Sequence, residues 1–122
     1  MVKIDVTELV SNCYEWVNEL RNLRDTLNAI NNELQSIVQA LSKDKFLQLE
    51  CLYNQIHIQL VNVQNLKHAV KAHERMLQFE KAAFNALVNE DSHTRHLNLL
   101  ERYIDIQTRV AQLNIDFRKF LP

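Results

Sequence analysis

From Val6 to Leu41, apolar side chains recur at Val6, Leu9, Cys13, Trp16, Leu20, Leu23, Leu27, Ile30, Leu34, Ile37 and Leu41, and the spacing alternates between three and four. Such a ladder places one apolar stripe along one side of a helix, with the 3.5-residue period of a coiled-coil seam. Val10, Val17 and Val38 widen the stripe towards the breadth that a bundle interior needs. Asp5 is suited to cap the start by accepting an orphan amide hydrogen, with Glu8 three residues on and Ile4 placed to staple against Leu9. The pattern predicts a first helix over about 5–41.

Ser42-Lys43-Asp44 interrupts the ladder, and Ser42 or Asp44 can cap the next helix. A second seam then runs Leu49, Leu52, Ile56, Gln59, Val63, Leu66, Val70, His73, Leu77, Glu80, Phe84 and Leu87. It predicts a helix over about 44–89, roughly 65 Å long at 1.5 Å per residue. Asn89-Glu90-Asp91-Ser92 forms the second break, with Asp91 or Ser92 as the expected cap. The third seam, Leu99, Tyr103, Ile106, Val110, Leu113, Phe117 and Phe120, predicts a helix over about 92–121. Short connections between helices make antiparallel neighbours. The expected fold is therefore all-α: one domain over residues 1–122, an antiparallel three-helix bundle of long, coiled-coil-like helices.

Composition sharpens this picture at one point. The chain of 122 residues contains no glycine, and its single proline is Pro122. Without glycine there is no residue suited to sharp turns at positive φ, or to the backbone cradles that hold phosphate. Long elements are the consequence, and P-loop and dinucleotide-binding chemistry is excluded. A formal charge of −1 provides no overall field to recruit nucleic acid or an anionic membrane. No apolar run approaches the roughly 18 residues of a membrane span, and Met1 to Asp5 does not open a signal peptide. An intracellular setting, cytoplasmic or nuclear, is expected.

If the first two helices fold back about Ser42 and Lys43, Cys13 lies level with Ala72 and Cys51 with Leu34. The two thiols are then about 30 Å apart at helical rise, against the roughly 7 Å Cα separation that a disulfide allows. Both cysteines are expected to be reduced small hydrophobes, buried or half-buried. The same distance excludes a zinc site built from both.

Candidate chemistry is sparse. No nucleophile–base–acid arrangement is visible around Ser11, Ser36, Ser42 or Ser92, so no catalytic residue and no enzymatic activity is assigned. His73 and Glu80 occupy seam positions where apolar residues would be usual, and three readings apply. They form a general acid–base pair, they fix helix register at some cost in stability, or the helix rotates and turns them to solvent. An antiparallel third helix would place Glu80 near Leu100–Tyr103 and His73 near Gln107. Glu90-Asp91-Ser92-His93 has the Glu-x-x-His form of carboxylate-bridged metal bundles, although a complete site needs two such motifs and two further glutamates. A metal- or haem-binding bundle using His73, His93 or His96 with Glu80 or Glu90 is thus an alternative, while the principal reading assigns neither metal nor cofactor. Trp16, in the first seam, is expected to anchor the core.

The second helix carries an additional apolar line, Ala69, Ala72, Met76, Phe79, Ala83 and Ala86. A helix apolar over most of its circumference is normally covered on all sides, which two partners in a three-helix bundle do not achieve. The principal expectation is a non-enzymatic protein–protein interaction module (scaffold, adaptor or small chaperone) that self-associates or docks a partner helix on this line, with no small-molecule substrate. Lys67, Lys71 and Arg75 form a basic stripe. It offers a second alternative, binding of anionic membrane or nucleic acid, though a salt-bridge ladder to Glu15 and Glu19 is the expected fate of its lysines.

Overall fold

The computed structural model describes residues 5–83 and 88–121. Three helices account for nearly all of them: α1, Val6–Ile37; α2, Lys43–Ala83; and α3, Glu90–Phe120. Each packs against the other two, giving a three-helix bundle.

The helix ends are set by the local chemistry. The Asp5 carboxylate accepts from the Thr7 amide at 2.9 Å, satisfying a donor that has no partner within the helix. α1 finishes in a single 3-10 turn, Val38–Ala40, and Leu41 then takes an extended conformation at φ −90°, ψ 147°. The chain therefore reverses with ordinary backbone angles, and glycine is not required there. Asn89 caps α3, its side-chain oxygen accepting from the Asp91 amide at 2.7 Å. Glu90 and Asp91 fill the first turn, and Arg118 and Lys119 the last. Each sign of charge thus sits where the helix dipole favours it.

The core is the seam of each helix turned inward. Leu20, Leu27, Ile30 and Leu34 from α1 meet Ile56, Leu66, Val70 and Leu77 from α2 and Ile106, Val110 and Phe117 from α3, all buried. Trp16 is buried as expected, packed between His96 and Tyr103. At the far end, Arg118 donates two hydrogen bonds to the Glu33 carboxylate, at 2.7 and 3.2 Å, tying α3 to α1.

Several expectations need correction. The cap of α3 is Asn89, ahead of Asp91 and Ser92, so the chain reverses several residues earlier than the sequence pattern indicated. α2 is described to Ala83 where the sequence pattern carried it to about 89, and the pairing of α3 with α2 differs from the expected one by about ten residues: Glu80 meets Asn89 and Ser92, and His73 meets His96. α2 does not rotate, because His73 and Glu80 remain buried in its seam along with Gln59. Cys51 is exposed, while Cys13 is buried; both are free thiols. The lysine ladder is also absent: among the described residues the ion pairs are Arg24–Asp25, Arg109–Asp105 and Arg118–Glu33. The Lys67 ammonium is held below its ordinary value by burial and then by the positive charges of Lys71, Arg24 and Arg21. The expected staple of Ile4, and Phe84, Ala86, Leu87 and Pro122, lie outside the described residues.

Candidate functional site

Near the α2–α3 reversal the bundle interior becomes polar. Cys13 of α1, His73 of α2 and His96 of α3 are each buried, with exposures of 0, 1 and 3%. One donor atom from each lies within 4.8 Å of the others. His73 and His96 are in direct contact, Nε2 to Nδ1 at 3.0 Å, and Asn12 Nδ2 lies 3.3 Å from His96 Nε2. The indole of Trp16 covers His96 with ring centroids 4.6 Å apart.

These contacts constrain the protons. If the Asn12 amide donates to His96 Nε2, that ring carries its hydrogen on Nδ1 and donates it to His73 Nε2. His73 must then hold its own proton on Nδ1, and this atom is buried without a hydrogen-bond partner. A buried polar atom left unsatisfied costs about 1–3 kcal/mol. With the opposite tautomers the same nitrogen becomes an acceptor that lacks a donor. In either arrangement the chain of contacts ends at an unsatisfied atom.

The electrostatics keep all three groups neutral at pH 7. Burial, followed by the nearby Arg95 guanidinium, brings His73 down to about 4. Burial, followed by the charges of His73 and His93, brings His96 down to about 4 as well. Burial pushes the Cys13 thiol up to about 12, and the Glu74 carboxylate acts in the same direction. Neutral imidazoles have free lone pairs, whereas a thiol becomes a strong ligand or nucleophile only on losing its proton.

Glu80 belongs to a separate contact. Its carboxylate accepts from the Ser92 hydroxyl and, at 3.4 Å, from the Asn89 amide. It thereby fastens the start of α3 to α2 from a position only 7% exposed. It does not meet His73, so the acid–base pairing of these two is not formed. His93 is half-buried and Glu90 exposed, and neither joins the cluster of three.

The outward line on α2 is open. Phe79 is 69% and Met76 45% exposed, Ala72 and Ala83 are exposed, and Ala69 is partly buried against the core. Arg95 borders this surface, donating to Met76 Sδ at 3.1 Å. In the basic stripe, Arg75 is exposed and Lys67 and Lys71 are half-buried. A second apolar surface lies at the opposite end, where Leu47, Leu52 and Phe120 line an open groove beside Cys51.

The sequence pattern did not bring Cys13 and His96 together with His73. The signal was present: continuing the third seam backwards from Leu99 in steps of three and four reaches His96 and then Ser92, both buried. Compared with known proteins, the chain matches no family model, no curated protein and no solved structure.

Proposed function

We propose that the protein is a non-enzymatic helical interaction module that self-associates through the outward face of α2. The observation that carries this reading is the exposure of Met76 and Phe79, two large apolar side chains one turn apart, between exposed Ala72 and Ala83. Their order along the helix is small, large, large, small, and the spacing of four, three and four residues is the same read in either direction. Two copies related by a two-fold axis would therefore set Met76 of one against Phe79 of the other, and Ala72 against Ala83. A two-fold interface requires a surface that is complementary to itself in this way. The alanines allow close approach of the helices, and the larger pair supplies the anchors.

Light scattering coupled to size-exclusion chromatography, over a range of concentrations, tests the proposal. Wild type is expected to reach the mass of a dimer, and Phe79→Glu and Met76→Glu to stay monomeric with unchanged helical circular dichroism. A wild-type monomer at every concentration, or a dimer that persists in both variants, refutes it.

The position of Lys67 among Arg21, Arg24 and Lys71 supports a second reading, contact with a polyanion such as nucleic acid or an anionic membrane surface. That reading requires binding that weakens steeply with salt. Binding to a labelled oligonucleotide or to anionic vesicles that is undetectable or insensitive to salt removes it.

A further inference from the structure

We infer that Cys13, His73 and His96 are the protein ligands of a zinc(II) centre buried between the three helices, with the fourth coordination position left to water or a small anion. This goes beyond the interaction module proposed above and rests on different residues.

The donor set comes first. One thiol and two imidazoles are soft and borderline ligands, suited to zinc and unsuited to calcium or magnesium, which take oxygen. The three donor atoms already lie within 4.8 Å of one another. At zinc–nitrogen distances of about 2.0–2.1 Å, two nitrogens of a tetrahedron are separated by roughly 3.4 Å, and a nitrogen and a sulfur by slightly more. His73 Nε2 and His96 Nδ1 stand 3.0 Å apart, so the two nitrogens need to part by roughly 0.4 Å, with the proton between them moved to the far nitrogen of its ring, to share a common ion.

The surroundings supply a second argument. In the cluster as it stands, His73 Nδ1 is a buried atom without a partner. The internal hydrogen bonds thus leave this pair of buried imidazoles incompletely satisfied, held together by their mutual Nε2–Nδ1 contact. Asn12 is placed to orient His96: rotating its amide by half a turn brings the carbonyl oxygen to Nε2, where it accepts the ring proton while Nδ1 turns to the metal. Ligating histidines are generally held by such an acceptor. Trp16 closes the site on the His96 side.

The charge balance is explicit. Zinc(II) binds the two neutral imidazoles and displaces the Cys13 proton to solvent, so one proton is released and the protein ligands with the ion carry +1. The Glu74 carboxylate is close enough to act on the Cys13 thiol.

The test uses the full chain, stripped of metal with a chelator in denaturant and refolded with zinc(II) or cobalt(II). The expected result is one metal per chain, one proton released per zinc near neutral pH, and a thiolate-to-cobalt charge-transfer band with the visible bands of tetrahedral cobalt. Cys13→Ala should lose the charge-transfer band, whereas Cys51→Ala should keep it. His96→Gln and His73→Gln should abolish stoichiometric binding, and Asn12→Leu should weaken it about 10–100-fold. X-ray absorption of the zinc-loaded wild type reads the ligand set without relying on any variant to fold, and one sulfur with two imidazole nitrogens is expected. Refolded wild type without bound metal, a cobalt band that survives Cys13→Ala, or a zinc environment lacking sulfur would each overturn the inference.

Discussion

Acid should loosen this bundle well above the pH at which its carboxylates protonate, because two imidazoles are buried in neutral form. An unfolded chain protonates histidine near 6.5, whereas His73 and His96 in the bundle do so only at about 4. Between those values the unfolded state binds more protons, so stability is fully present above about pH 6.5 and is lost as pH falls towards 4. Going from pH 7 to pH 5, each imidazole removes about 2 kcal/mol, and the pair about 4 kcal/mol. The charged groups around them favour the same direction. Arg95 near His73, and His73 and His93 near His96, oppose protonation, while the Glu74 carboxylate acts on Tyr14 and Cys13. Urea denaturation at the two pH values, in the presence of a chelator, is the assay. With a slope of about 2 kcal/mol per molar, the midpoint should fall by roughly 2 M. The double variant His73→Gln, His96→Gln should lose most of that pH dependence. A wild-type midpoint that moves by less than about 0.5 M, or an equally steep dependence in the double variant, refutes the reasoning.

The packing leads to three further outcomes. Leu20→Ala, which empties a fully buried position in the first seam, should cost about 2–5 kcal/mol by chemical denaturation, and a cost below about 1 kcal/mol would contradict the packing described. Ser92→Ala removes the hydroxyl that donates to the buried Glu80 carboxylate, and should cost about 1–3 kcal/mol in the same assay. Cys51 is exposed, whereas Cys13 is buried with its thiol pushed up to about 12, so a thiol reagent should label one cysteine in the native protein and two after unfolding.

The bundle was legible because α1 carries its seam without a missed step, and Leu20, Leu27, Ile30 and Leu34 are all buried. The pairing of α1 with α2 was legible too, since folding about Ser42 placed Cys13 level with Ala72, next to the His73 that it meets. The pairing of α2 with α3 was not. Asn89, Asp91 and Ser92 are all competent caps, and residue type alone does not choose among them. The choice of Asn89 accounts for two or three residues of the shift, and the rest comes from α2, which the apolar positions Phe84 and Leu87 carried on to about 89 in the sequence and which the structure describes to Ala83. His73 then meets His96 in place of Gln107. The polar cluster stayed hidden for that reason, and because seam histidines in two helices look alike whether they fix register or share a ligand. The exposure of Met76 and Phe79 was anticipated from the second apolar line, while the fate of Lys67 was not, because lateral pairing on a helix surface depends on rotations of a few degrees.

One consequence of the buried trio concerns the order of assembly. Its members are contributed singly, by α1, α2 and α3, so no hairpin of two helices contains the complete set. Any signal that needs all three side chains in register is silent until the final rod docks. The native contacts of Cys13, His73 and His96 thus report that all three helices are docked together, which helicity alone does not.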